Sequence, residues 1–284
     1  MLGVADGLAA LSGILVGFTL GLVGGGGSIL AVPLLVYVVG VPSPHVAIGT
    51  SAVAVAASAA ASLAGHARAG NVKWSCALVF AGVGTLGAAG GAALGKMVPG
   101  DSLLGLFGAL MVVIGLVMLR PRPSTGDADV RLTLASAPHL LPLLIAFGLA
   151  VGTLAGFFGI GGGFLIVPGL IAATAMPLVC AIGSSLVAVT AFGVTTAVSY
   201  ALSGLVDWRL AALFVIGGAI GGALGIALCA RLTLRKRALS LVFSAIIIAV
   251  GIYVVSAALL GLNPHPASRE ALKAQVASNT ESTL

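Results

Sequence analysis

A glycine-rich segment interrupts an apolar run twice in this chain, at positions 135 residues apart. The first copy runs from Gly21 through Gly24-Gly-Gly-Gly-Ser28 to Val32-Pro33. The second runs from Gly156 through Gly159-Ile-Gly-Gly-Gly163 to Val167-Pro168, and the two align without a gap. A break in a helix frees backbone N–H and C=O groups. In lipid only protein or cavity water can satisfy them. Chains that duplicate a broken membrane helix use the two breaks to build one solute site near the bilayer midplane. A transporter is therefore the leading expectation.

Composition places these runs in a membrane. Charged residues make up 7% of the 284 and hydrophobic ones 60%, whereas a soluble domain carries about 25% charged residues. Apolar runs fall at roughly 2–23, 28–40, 45–64, 74–96, 102–119, 139–159, 163–176, 179–200, 209–230 and 237–260. Many approach the roughly 20 residues a spanning helix needs, and they lack the alternation of a membrane β-barrel. The chain reads as an all-α polytopic membrane protein. The second run of each half is short: about 14 residues of helix rise roughly 21 Å against a hydrocarbon core of about 30 Å. Each half thus has a glycine-broken first helix followed by a short half-helix, re-entrant or sharply tilted.

The duplication extends past the glycines. Ala47-Ile-Gly-Thr-Ser51 matches Ala181-Ile-Gly-Ser-Ser185, Gly70 to Trp74 matches Gly204 to Trp208, and Gly84, Gly87 and Gly91 match Gly218, Gly221 and Gly225, now at an offset of 134. Residues 1–120 are read as one membrane repeat and 139–261 as a second. A polar, proline-bearing linker at 121–138 joins them, and a polar tail at 262–284 follows. With no basic region or clear cleavage site at the N-terminus, the first apolar segment is expected to be retained.

Loop charges orient the halves. Arg68 and Lys73 lie in the loop at 65–73, whereas the matching loop at 201–208 holds Asp207 and no Lys or Arg. Conversely, 231–237 holds Arg231, Arg235, Lys236 and Arg237, and its counterpart near 97–101 has only Lys96 beside it. Grouping 65–73, the linker with Arg120 at its edge, and 231–237 on one face collects nine of the thirteen Lys and Arg, so that face is expected to be cytoplasmic. Equivalent loops then face opposite sides. This is an inverted repeat with five crossings per half and both termini outside.

Two groups of residues could hold a solute. Helices starting at Ser28 and Gly163 would present unpaired N–H groups and a positive dipole end to the break. Glycine lets backbone approach a bound group, and a helix N-terminus binds anions without a cationic side chain. Gly25, Gly26, Gly27 and Ser28, with Gly161, Gly162 and Gly163, are accordingly the expected backbone donors. Thr50, Ser51, Ser184 and Ser185 follow near the start of the next helix and could add hydroxyl donors. The bland alternatives are helix packing for the glycines and bonds back to the helix's own carbonyls for the hydroxyls.

The missing chemistry narrows the cargo. The acids are Asp6, Asp101, Asp127, Asp129, Asp207, Glu270 and Glu281, and none sits at the centre of a run. Intramembrane carboxylates mark cation sites and proton relays, so an anion or a neutral solute fits better. His45 and His66 lie at helix ends, and His45 could titrate near the outer mouth. Cys76, Cys180 and Cys229 have neither disulfide nor zinc spacing. No catalytic constellation, nucleotide loop, cofactor motif or metal site is evident. The net charge of +6 sits in short loops, where membrane topology accounts for it better than nucleic acid does.

At the residues Gly24 to Pro33, Gly159 to Pro168, Gly49-Thr-Ser51 and Gly183-Ser-Ser185, the chain resembles the TauE/SafE family of membrane transporters, often called sulfite exporters. The resemblance covers about residues 10–260. It implies a bacterial inner-membrane location and export of a small sulfur-containing anion such as sulfite or an organosulfonate. Ser28 stands where the second repeat has Gly163, so the two half-sites are not equivalent. The leading expectation is a secondary transporter, not an enzyme, that holds its anion between the breaks and alternates by rocking one repeat against the other. An anion channel through the same break and a non-transporting membrane scaffold are the alternatives. The expected partners are the anionic solute and the bilayer, and a homodimer is compatible with the sequence.

Overall fold

The computed structural model describes residues 4–119, 137–159, 163–231 and 236–260, and every regular element in them is helical. Helix α1 spans Val4–Val23. We number as α2 a mixed segment that is 3₁₀ over Gly24–Leu30, α over Ala31–Pro33 and π over Leu34–Val39. The rest are α3 (Pro44–Arg68), α4 (Trp74–Gly95), α5 (Gly100–Leu119), α6 (Ala137–Phe158), α7 (Gly163–Thr174), α8 (Leu178–Ala201), α9 (Trp208–Arg231) and α10 (Lys236–Leu260). Each expected apolar run coincides with one of these, with ends within four residues. Most of the linker and all of the tail lie outside the described residues, as does the Cys229 side chain.

Local chemistry sets the ends. A proline opens the first turn of α3, where its missing N–H costs nothing. The Asp207 carboxylate caps α9, accepting the N–H groups of Arg209 and Leu210 at 3.0 Å each. Among the described residues, six helices, α3, α4, α5, α6, α8 and α9, contain segments long and apolar enough to cross a membrane. Of their most apolar stretches, 67% of α3 and 56% of α8 lie inside the protein, against 33–44% for the other four. The bundle is therefore built around the α3–α8 pair.

Outer helices are two-faced in size rather than polarity. Leu78, Leu86 and Leu94 of α4 are exposed, as expected of a lipid-facing side, while Gly84, Gly87, Gly91 and Gly95 face α6. On α9, Ile216, Ile220 and Leu224 are exposed, and Gly217, Gly221 and Gly225 face α1. A Cβ on Gly17 would lie 2.6 Å from the Cα of Gly218, and one on Gly152 would lie 2.7 Å from the Cα of Gly84, so backbone meets backbone. The repeat recurs in these contacts. Gly221 packs on the backbone of Ile14 and Phe18, and its equivalent Gly87 packs on the equivalent Leu149 and Thr153. The first helix of each half thus pairs with the fourth helix of the other.

Contact registers also give directions. Gly13 meets Phe214 and Gly17 meets Gly218, so α1 and α9 run parallel, as do α6 and α4 through Gly148 with Phe80 and Gly152 with Gly84. Equivalent helices that touch each other run opposite ways. Gly49 near the start of α3 lies against Leu205 and Tyr200 at the end of α8, and Gly183 near the start of α8 lies against Asn71 just past α3. In the same sense Gly105 of α5 meets Ala258 of α10, and Gly115 meets Ile248. One face of the bundle gathers the starts of α1, α3, α5 and α9 with the ends of α4 and α8, through Asp6–Arg209, Pro44–Gly100 and Lys96–Ser203.

The two halves solve one turn differently. Gly40 ends α2 at φ 81°, and the equivalent residue after α7 is Ala175 at φ 55°, in the left-handed region. An L side chain there costs about 1–2 kcal/mol, partly offset by the greater freedom of glycine in the unfolded chain. Ala175→Gly is expected to stabilise the protein by up to about 1 kcal/mol and Gly40→Ala to destabilise it by a similar amount. The check is the shift of the thermal unfolding midpoint in detergent.

Candidate solute site

The two glycine breaks are built differently. After α1 the chain does not open. Gly24–Leu30 winds as a 3₁₀ helix, whose bonds to the carbonyl three residues back take up N–H groups that the sequence left free. Gly27 lies against the backbone of Thr19 and Leu20, and a Cβ there would come 2.6 Å from the Thr19 carbonyl carbon. Ser28 is fully buried. The second break ends α6 at Gly159, with φ +67°, where a side chain would run into Ile48 of α3. Gly161 and Gly162 lie outside the described residues. The described part of helix α7 begins at Gly163.

The breaks also lie toward opposite faces. Leu22, just before the first, sits beside Gly225 in the last third of α9. Phe157, just before the second, sits beside Gly95, the last residue of α4. Because α1 and α6 run in opposite directions, these two ends point to different sides of the bundle. What brings the halves together is the following arm: Gly24–Leu30 packs on α7 and α8. The first glycine arm thus meets α7 and α8, and α3 reaches the second break through Ile48.

All four hydroxyls are buried about two turns into α3 and α8. Ser51 donates to the Ile48 carbonyl at 2.9 Å, and Ser185 donates to the Ile182 carbonyl at 2.7 Å. Their protons are used within their own helix. Thr50 Oγ1 accepts the backbone N–H of Asp207 at 3.0 Å, and Ser184 Oγ accepts that of Lys73 at 2.9 Å. These two bonds are equivalent under the repeat and cross between halves. Each ties the start of a central helix to the loop that leads into α9 or α4. At one face an apolar depression of about 280 Å³, lined in part by Val41, Pro42, Val46 and Leu210, lies over the α2–α3 turn.

Several polar groups escaped the reading of the sequence. Thr196 and Tyr200 are fully buried on α8, and the Thr196 and Tyr200 hydroxyls and His66 Nδ1 have no hydrogen-bond partner. Their repeat equivalents are Ser62 for Thr196 and His66 for Tyr200. Polar residues recurring at the repeat offset inside apolar runs were the available signal. Asp6 is buried as well, and its carboxylate meets the Arg209 guanidinium at 2.6 Å, joining α1 to α9.

Comparison with known proteins agrees with the glycine segments. The family model described as sulfite exporter TauE/SafE matches residues 9–254. A probable membrane transporter protein of Xylella fastidiosa is 54% identical over 86% of this chain and 92% of its own length. The probable membrane transporter protein YunE of Bacillus subtilis is 30% identical over 73% of this chain and 82% of its own. YdhB of the same organism, with the same description, is 27% identical over 72% and 82%. No solved structure matches the chain.

Removing the crossing hydroxyls leaves a loop N–H without its acceptor. Thr50→Val and Ser184→Ala are each expected to cost about 1–3 kcal/mol. Hydrogen exchange followed by mass spectrometry should show faster exchange around Asp207 in the first variant and around Lys73 in the second.

Proposed function

Starting from a chain that belongs to the TauE/SafE sulfite exporter family of membrane transporters, we propose that it exports a small sulfur-containing oxyanion across a bacterial inner membrane. The cargo is sulfite or an organosulfonate. The observation that carries this reading is the pair of glycine breaks, the first packed on α7 and α8 and the second on Ile48 of α3. In this reading the backbone around Gly161, Gly162 and Gly163 supplies N–H donors and a positive dipole end, and Gly25 to Gly27 add theirs only when the 3₁₀ turn at Gly24–Leu30 unwinds. The carboxylates that would serve a cation are missing from the middle of the runs.

Ser51 and Ser185 serve the site with their oxygens fixed by bonds to Ile48 and Ile182, and turn their protons to the anion only when those bonds open. Thr50 and Ser184 act at two gates. The Thr50–Asp207 and Ser184–Lys73 bonds sit at opposite ends of the antiparallel α3–α8 pair. In an inverted repeat the halves exchange conformations, so one bond opens while the other stays closed. The face bearing Arg68, Lys73 and the 231–237 cluster is cytoplasmic. An inside-negative potential then favours anion efflux by roughly 2.3 kcal/mol per charge per 100 mV, with no proton coupling needed.

Sulfite flux in proteoliposomes at a clamped potential tests this, with sulfate and a sulfonate as competitors. Saturable, potential-sensitive flux that is lost in folded Gly26→Leu protein is expected. Undiminished flux in that variant would remove the glycine break from the mechanism. Preloaded sulfite is further expected to accelerate sulfite uptake, as counterflow through a carrier does and flow through an open channel does not.

A further inference from the structure

One face of the bundle holds a polar cluster that the glycine breaks do not explain. Tyr200, at the end of α8, is fully buried, and its hydroxyl has no hydrogen-bond partner. Buried tyrosine hydroxyls normally find one, and an orphan is costly. The His45 ring, on the first turn of α3, lies 6.4 Å from the Tyr200 ring, and its buried Nδ1 is likewise without a partner. Lys96, just past α4, holds its ammonium 5.8 Å from the centre of the Tyr200 ring. That ammonium donates to the Ser199 carbonyl at 3.1 Å and to Ser203 Oγ at 3.0 Å. An ammonium has three protons to donate, so neutral acceptors take two of them.

Capping the end of α8 accounts for where Lys96 sits, but it does not account for the orphaned phenol beside it, nor for the one ring nitrogen of His45, Nδ1, that stays unpaired while the imidazole bonds the Val98 backbone. Among the described residues, Arg209 on the same face is already paired with Asp6. A group that could satisfy the Tyr200 hydroxyl and the third ammonium proton together is an acceptor with several oxygens and negative charge. We propose that Lys96, Tyr200 and His45 form a second anion site, a vestibule that takes a small oxyanion on the face where α3 begins and α4 and α8 end. The site is one-sided. Under the repeat Tyr200 corresponds to His66, and Lys96 corresponds to Ala230, which carries no charge. The identity of the occupant rests on the transport reading above, while the existence of the site rests on this cluster.

The test is sidedness. In proteoliposomes of known orientation, Lys96→Gln is expected to raise the sulfite KM about tenfold from the vestibule face, the loss of one charge-assisted hydrogen bond. KM from the opposite face and Vmax from the vestibule face should not move, and Vmax from the opposite face should fall about tenfold, because at a fixed potential a passive carrier keeps the ratio of Vmax/KM between its two directions. Lys96→Arg should restore the KM, and Tyr200→Phe, which deletes only the hydroxyl, should raise it several-fold. An unchanged KM in Lys96→Gln, or an equal change from both faces, overturns the proposal. If the wild-type protein carries none of sulfite, sulfate or a sulfonate, the transport reading fails on its own. The vestibule is then judged by calorimetric titration of sulfite into nanodisc-embedded protein. Binding lost in Lys96→Gln and kept in Lys96→Arg supports it. No wild-type binding, or the same binding in Lys96→Gln, overturns it.

Discussion

Backbone-to-backbone packing between glycine-bearing helices is the interaction on which the rest of this structure depends. Gly17 meets Gly218, and Gly152 meets Gly84, with no room for a side chain between them. Lipid supplies no hydrophobic drive to bring helices together, so close van der Waals approach must do it. Each of these seams joins the first helix of one half to the fourth helix of the other. Neither half is therefore a bundle by itself, and the α3–α8 pair is enclosed because the seams on either side hold it there.

That enclosure gives the central hydroxyls their geometry. Thr50 and Ser184 reach the loops of the opposite half because equivalent central helices run antiparallel, which brings the start of each to the end of the other. The same bonds make the first turns of α3 and α8 sensitive to where the loops before α9 and α4 sit. A site next to those turns is coupled to both faces by single hydrogen bonds, which are strong enough to hold a conformation and weak enough to exchange.

The halves are alike without being identical. The first break is wound into a 3₁₀ turn with Gly27 pressed on Thr19, whereas the second turns at a left-handed Gly159 pressed on Ile48. The cation Lys96 has no charged equivalent at Ala230. An inverted pair of equal halves would treat the two faces alike. These departures give the protein a sidedness that the duplication by itself would cancel.

The sequence alone determined the helical class, the ten apolar elements, the duplication and the loops in which charge gathers. The reason is that lipid forbids unpaired backbone and uncompensated charge, so length and apolarity leave few choices. It also marked Thr50, Ser51, Ser184 and Ser185 as a matched set. Only the tertiary structure decided what each of them does. Whether a hydroxyl donates to its own helix, as Ser51 does, or accepts from a loop more than a hundred residues away, as Ser184 does, depends on which backbone group the packing brings within 3 Å. The same holds for the glycines. A run of Gly reads as a break, but which conformation it takes, a 3₁₀ turn at Gly24–Leu30 or a left-handed residue at Gly159, depends on the neighbour each is pressed against. That neighbour, Thr19 for Gly27 and Ile48 for Gly159, is chosen by the fold.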